Sequence, residues 1–273
     1  MTGRKYLAAW GFGPGEVGRA WRSCSLHTKG EPDRFHGRGA VGWDELMAAA
    51  AARADILTVH RDRALVPVSA YSRSAVIGGA ERDGPLDGDA LAGLLGEGAT
   101  VIVANVDQYM TAARACAAAL SGHFAATVEA HAFRTPPGAP GIPAHADGED
   151  NFLLQLSGRK RWQLWRPPAV DRVHYALAEL GDPAAEILLE EGDALYIPRG
   201  WPHHGCAGLS GSFHVTYQIL PVLVREALED HLADRIESAI DADEQIEIPA
   251  CVFGTPSLDA FVAERLTDYK SRL

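Results

Sequence analysis

The spacing of apolar and polar positions changes texture along the chain. Up to about residue 95 the pattern is mixed. Trp43-Asp44-Glu45-Leu46-Met47 opens an Ala-rich run that reads as a helix to about Arg53, and Asp55-Ile56-Leu57-Thr58-Val59-His60 has strand composition. Gly78-Gly79 and Asp83-Gly84-Pro85 read as turns. Between Asp87 and Leu95, an apolar stripe of Leu91, Leu94 and Leu95 predicts a short helix capped by Asp87 or Asp89. Thr100–Ala104 reads as a buried strand. Met110–Leu120 reads as an Ala-rich helix that Ser121-Gly122 is expected to end.

From about residue 123, short apolar segments alternate with Gly and Pro clusters: Thr127–Phe133, Asn151–Leu156, Lys160–Trp165, Glu186–Leu189, Ala194–Ile197 and Ser212–Leu220. Six short strands with turns between them predict an antiparallel sandwich or barrel such as a jelly roll, so the fold class is mainly β with flanking helices. The tail changes again. Val222–Ile240 is amphipathic and charged, and Ser257–Tyr269 reads as a second helix. The expected division is an N-terminal α/β region, 1–95, packing on a barrel, 96–221, followed by a helical segment, 222–273. The tail helices either supply a homodimer interface or pack back on the barrel.

Composition narrows the class. The chain has 273 residues, 47% of them hydrophobic and 22% charged, which excludes a disordered chain and a scaffold dependent on disulfides. The 25 Lys+Arg against 36 Asp+Glu give a net charge of −11, which argues against bulk nucleic-acid binding. Cys24, Cys116, Cys206 and Cys251 are far apart and form no C-x-x-C pair, as expected of reduced thiols in a cytoplasmic protein. The apolar stretch Tyr6–Trp10 is too short for a signal sequence, and no apolar window is long enough to predict a membrane span.

The chemistry concentrates at His145-Ala146-Asp147. On an extended chain, residues two apart face the same side, so this His and Asp can grip one ion. Pro202-His203-His204 offers a third ligand. Two His and one carboxylate on one face of an ion form the facial triad of non-haem Fe(II) oxygenases. Alone, H-x-D is a weak signal among eleven His, and a satisfied surface pair is the better reading of it. Consecutive residues of an extended chain point to opposite sides, so only one of His203 and His204 can reach such an ion.

The flanking residues change the picture. The run His145-x-Asp147-x-x-x-Asn151-Phe-Leu-Leu-Gln155-Leu-Ser-Gly158-Arg-Lys160-Arg-Trp162 resembles the JmjC/cupin-like Fe(II)/2-oxoglutarate oxygenases, in particular the ribosomal-oxygenase-like branch. So do Gly192-Asp-x-Leu-Tyr-Ile-Pro-Arg-Gly200-x-x-His203 and the upstream Thr135-Pro136-Pro137-Gly138. The resemblance implies a double-stranded β-helix with His145, Asp147 and His203 holding Fe(II). It implies Lys160, fifteen residues after the first His, as the anchor of the 2-oxoglutarate co-substrate. A buried dianion needs such a cation. If Trp162 and Leu164 point inward, so does Lys160, while Arg159 and Arg161 point outward.

Asn151 falls where some JmjC enzymes place an Asn near the co-substrate carboxylate, and a turn cap is the alternative. Thr216 could face the metal site from the last strand, with His214 on the same face. The family often has Asn-x-Tyr before its Thr-Pro pair, and here those positions are His131 and Phe133. His131 either substitutes for the Asn or is a core histidine. Phe133 has no hydroxyl, so the pocket's polar contacts must differ. The implied activity is hydroxylation with O₂ of a protein or peptide side chain. The alternatives are a tailoring hydroxylase of a free amino acid or peptide natural product, a small-molecule substrate, or a non-catalytic metal-binding cupin. The tail reads as too short for the complete winged-helix domain of ribosomal oxygenases.

Overall fold

The computed structural model describes residues 1–221, apart from 14, 63, 78–79 and 169–171 and the side chains of 75–83. The expected Gly78-Gly79 turn, the two tail helices and Cys251 lie outside the described residues. Residues 1–221 form one compact unit. In chain order the elements are α1 (Gly3–Ala9), α2 (Glu16–Ala20), β1 (Leu26–Thr28), α3 (Trp43–Ala50), β2 (Leu57–Arg61), β3 (Ala64–Val66), β4 (Ser72–Ile77), β5 (Ala80–Leu86), α4 (Gly88–Gly96), β6 (Thr100–Val103), α5 (Thr111–Phe124), β7 (Val128–Thr135), β8 (Asp150–Leu164), α6 (Leu177–Leu180), β9 (Ala185–Glu190), β10 (Ala194–Ile197) and β11 (His203–Ile219). The main sheet is antiparallel throughout, in the order β1-β10-β8-β11-β7-β6-β2-β3, with β9 also paired to β8.

Local sequence explains most elements. Asp87 caps α4, its carboxylate accepting from the backbone N–H groups of Asp89 and Ala90. Helix α5 runs through Ser121-Gly122 to Phe124 and ends where Ala125 turns left-handed. Its packed face carries the helix onward, with Leu120 fully buried. Asp83-Gly84-Pro85 is not a turn but part of β5, an outer strand of a separate pair with β4. That pair has a register irregularity between Ser72 and Ser74, and an edge strand beside such a break tolerates Pro85, which has no N–H. The expected strands Asn151–Leu156 and Lys160–Trp165 are one strand, β8, and the expected strand from Ser212 begins at His203.

The sheet packs on both faces. On one, Trp10, Leu46, Leu120, Phe152, Leu154, Val215 and Tyr217 form a core with helices α1 to α5. Each fully buried large side chain there contributes about 1.5–3 kcal/mol. The Tyr217 hydroxyl, buried among them, donates to the Gly39 carbonyl at 2.7 Å. On the other face a smaller core comprises Leu153, Trp162, Leu164, Leu189, Leu195, Ile197 and Trp201. Asp193 ties the N-terminal segment to this barrel. Its buried carboxylate pairs with His27 Nε2 at 3.0 Å and accepts from the N–H groups of Gly30 and Glu190, each at 3.1 Å.

Along β11, Phe213, Val215 and Tyr217 face the larger core, so His214, Thr216 and Gln218 face the other way. Yet His203 and Gly205, at odd positions, line the same cavity as His214 and Thr216. Uninterrupted alternation forbids that. The β8–β11 register shifts between Ala207 and Ser212 and again between Phe213 and His214, and these bulges exchange the two faces. On β8 the inward set changes likewise, from Asn151 and Leu153 to Lys160 and Trp162. Gly158 sits at this irregularity with φ 68°, and a Cβ there would lie 2.2 Å from the Gly211 carbonyl oxygen. Gly158→Ala is therefore expected to destabilise the unit by about 2 kcal/mol or more, combining left-handed strain with a backbone clash. Urea denaturation followed by tryptophan fluorescence measures it.

Candidate functional site

His145 is not on a regular strand. It forms an isolated bridge with His203, each backbone N–H donating to the other's carbonyl, at 3.1 and 2.8 Å. Asp147 is held next to it, its carbonyl accepting from Gly200 N–H at 2.8 Å. Two residues apart on an extended segment, the His145 and Asp147 side chains meet, with His145 Nε2 3.4 Å from Asp147 Oδ1. His203 Nε2 approaches Asp147 Oδ2 at 3.5 Å. One ligand atom from each of the three lies within 4.8 Å of the others.

Their protonation is readable from the partners. His145 Nδ1 is 2.9 Å from the Pro143 carbonyl and His203 Nδ1 is 2.9 Å from the Trp201 carbonyl. A carbonyl only accepts, so both Nδ1 atoms donate, and the Nε2 atoms of both rings face Asp147, that of neutral His145 as a lone pair. Burial, reinforced by neighbouring His203, pushes His145 down to about 4, so it is neutral at pH 7. Lone pairs and a carboxylate facing one another repel unless a cation lies among them. The donor set, two imidazoles and one carboxylate, fits a divalent transition metal, and the Nδ1–carbonyl bonds aim it. Asn151 Nδ2 donates to Asp147 Oδ2 at 2.7 Å, so this amide orients the carboxylate, while its Oδ1 is buried without a partner.

His204 is also buried, but it does not line the cavity and lies 3.7 Å from Cys206 Sγ. Alternation along β11 thus sends the adjacent histidines to opposite sides.

The cavity holding the triad is about 190 Å³, and among the residues lining it are His131, His145, Asp147, Asn151, Lys160, His203 and Thr216, all singled out from the sequence. Lys160 is 2% exposed, whereas Arg159 and Arg161 are exposed. Its ammonium lies 4.8 Å from the Trp162 ring centre, and no carboxylate is within ion-pair distance of it among the described residues. Burial pushes it down to about 7. Gly205 makes room for it, since a Cβ there would lie 2.6 Å from Lys160 Cε. His131 Nδ1 accepts from Asn105 N–H at 3.3 Å, and its buried Nε2 has no hydrogen-bond partner. Burial holds His131 below its ordinary range. Sequence reading did not single out the apolar walls Ile102, Ile142 and Leu153. Ile102 was accessible in principle as the inward residue of β6, between Val101 and Val103, which are fully buried in the larger core.

A sheet barrel with an inward His/Asp/His face and a buried lysine behind it defines the class as a double-stranded β-helix of the cupin type. Residues 104–226 match the family model of the JmjC domain. The bifunctional lysine-specific demethylase and histidyl-hydroxylase NO66 of Drosophila persimilis is 33% identical over 153 residues, 50% of this chain and 22% of its own length. Ribosomal oxygenase 1 of Gallus gallus is 36% identical over 137 residues, 42% of this chain and 23% of its own. The chain thus spans less than a quarter of the length of these two relatives. In structure it is similar to YcfD, a ribosomal oxygenase from Escherichia coli solved in complex with cobalt and 2-oxoglutarate. That match has a TM-score of 0.54 and 20% identity, and covers 92% of this chain and 64% of the other.

Metal affinity separates the residues of the site. His203→Ala is expected to abolish Co²⁺ binding, while His204→Ala retains it. Asn151→Leu, which frees the Asp147 carboxylate, should weaken binding about 10–100-fold. Anaerobic titration of the purified variants measures all three.

Proposed function

We propose that this chain is an Fe(II)- and 2-oxoglutarate-dependent oxygenase that hydroxylates a protein or peptide side chain. The observation that carries this reading is the buried, unpaired Lys160 in the same cavity as the His145/Asp147/His203 face. An ammonium removed from water without a counter-ion is costly, and a bound dicarboxylate relieves that cost. The balanced reaction is substrate C–H plus O₂ plus 2-oxoglutarate giving substrate C–OH, succinate and CO₂. Fe(II), when bound, supplies the O₂ activation and redox chemistry that no side chain provides.

The chain's residues do the rest. His145, Asp147 and His203 hold the ion, and Asn151 steadies Asp147. Lys160 pairs with the far carboxylate of the co-substrate and leaves its keto-acid end for the metal. Thr216 and His131 flank that cavity, and Ile102, Ile142, Leu153 and Trp162 keep water out. In this reading residues 96–221 carry the chemistry and residues 1–95 flank it. The choice of a protein side chain rests on the relatives, two of which are described as a histidyl-hydroxylase and a ribosomal oxygenase.

Production of succinate from 2-oxoglutarate with Fe(II) and O₂ tests the reaction class, and Asp147→Ala must abolish it. Lys160→Ala should raise the KM for 2-oxoglutarate about a hundredfold or more, because it leaves a desolvated carboxylate unpaired. Metal affinity should change little.

Binding should also depend on pH. Free Lys160 titrates at about 7, and a bound carboxylate stabilises its protonated form and raises that value. Above pH 7 the free site must therefore take up a proton on binding. Affinity for 2-oxoglutarate should fall about tenfold per pH unit until the pKa of the bound state is reached. Calorimetry in buffers of different ionisation enthalpy measures that proton uptake, and a pH-independent affinity would contradict the role of Lys160.

A further inference from the structure

The cavity wall beside Lys160 carries a second polar group with no assigned role. His214 is 1% exposed, and its Nδ1 has no hydrogen-bond partner. It lines the cavity together with Lys160, and the nearby Lys160 charge adds to burial in holding it neutral. A neutral imidazole has one N–H and one lone pair. Its ring stacks on Phe133 at 4.8 Å with an interplanar angle of 4°, and meets Trp162 edge-on at 5.6 Å. Phe133 is its direct cross-strand partner between β7 and β11. The ring plane is therefore fixed from two sides, while Nδ1 is left without a hydrogen-bond partner.

A buried polar atom without a partner is costly, and nothing in the packing requires a histidine here, since phenylalanine would stack equally well. Trp162 Nε1, a donor only, is likewise buried without a partner on the same wall. A lysine ammonium with a hydrogen-bonding imidazole beside it on the cavity wall describes a receptor for an oxyanion.

We propose that His214 donates its ring N–H to the distal carboxylate of the co-substrate, a contact that Phe133, lacking a hydroxyl, cannot make. This rests on the reading of the cavity as a 2-oxoglutarate site and names a second residue for the distal carboxylate. Lys160 supplies the charge, and His214 supplies direction, because its ring plane is set by the stack before the ligand arrives.

The test compares two ligands that differ only at the far end, 2-oxoglutarate and 2-oxobutyrate, which lacks the distal carboxylate. Both are titrated calorimetrically into the Mn²⁺-loaded protein. The ratio of the two affinities reports the distal carboxylate alone. His214→Phe should lower that ratio about 10–100-fold, the range of a hydrogen bond to a charged group, with 2-oxobutyrate affinity little changed. In that background, Phe133→Tyr returns a donor to the opposite strand and should recover part of the lost ratio. His214→Gln, which keeps an N–H, should lose less than His214→Phe.

An unchanged ratio in His214→Phe overturns the proposal. So does an equal loss for both ligands that Phe133→Tyr does not reverse, because the ring would then matter for packing only. Failure of the underlying reading looks different: the unmodified protein would not prefer 2-oxoglutarate over 2-oxobutyrate at all.

Discussion

The antiparallel pairing of β8 with β11 is the constraint on which the site depends. These two strands carry Asn151, Lys160 and Trp162 on one side and His203, His214 and Thr216 on the other. Backbone hydrogen bonds fix which residues stand opposite: Ala207 against Lys160, Thr216 against Leu153. Because side chains alternate, fixing the register fixes every side chain that enters the cavity. His145 is then hung on the start of β11 by its reciprocal bridge to His203. The three ligand atoms meet because of backbone pairing and do not depend on contacts among the side chains themselves.

That scaffold holds an arrangement that would be unfavourable in isolation. A carboxylate faces the Nε2 atoms of two imidazoles, and an ammonium is removed from water with no counter-ion among the described residues. Both conflicts have the same resolution, a ligand of opposite charge, and the two ligands implied are a divalent cation and a dicarboxylate. The surrounding structure bears the cost. The larger core, with Trp10, Phe152, Val215 and Tyr217 fully buried, lies on the opposite face of the same strands. Stability and function are thus divided between the two faces of one sheet. The exchange of faces at Gly158 and at residues 207–214 is what lets each strand serve first one wall of the cavity and then another.

Much of this was legible in the sequence. Alternation over Lys160-Arg161-Trp162-Gln163-Leu164 gave Lys160 an inward side, and the structure has it buried between exposed Arg159 and Arg161. The Asp87 cap and the stripe of Leu91, Leu94 and Leu95 were visible because capping and helical spacing are local properties. Where local reading failed, tertiary packing overrode it. Ser121-Gly122 looked like a helix end, but α5 continues to Phe124, whose ring stacks against Trp21. Asp83-Gly84-Pro85 looked like a turn, but pairing with β4 draws it into an edge strand.

The sequence by itself determined the residue types and their spacing: a His and an Asp two apart, a third His beyond a Gly-Asp turn, a Lys fifteen residues on. Those follow from chain order and from period-two geometry, which any extended segment obeys. Only the tertiary structure decided which residues share a face across bulges. His203 and His214 are eleven apart, and Leu153 and Lys160 seven, odd separations that alternation assigns to opposite sides. Asn151, which the sequence places either near the co-substrate or at a turn, lines the cavity with its amide on Asp147, since the fold of residues 147–151 brings the two together. The stack of His214 on Phe133 arises from cross-strand register between β7 and β11, about eighty positions apart in the chain. No local pattern encodes it, because register is set by the summed pairing of whole strands rather than by either residue.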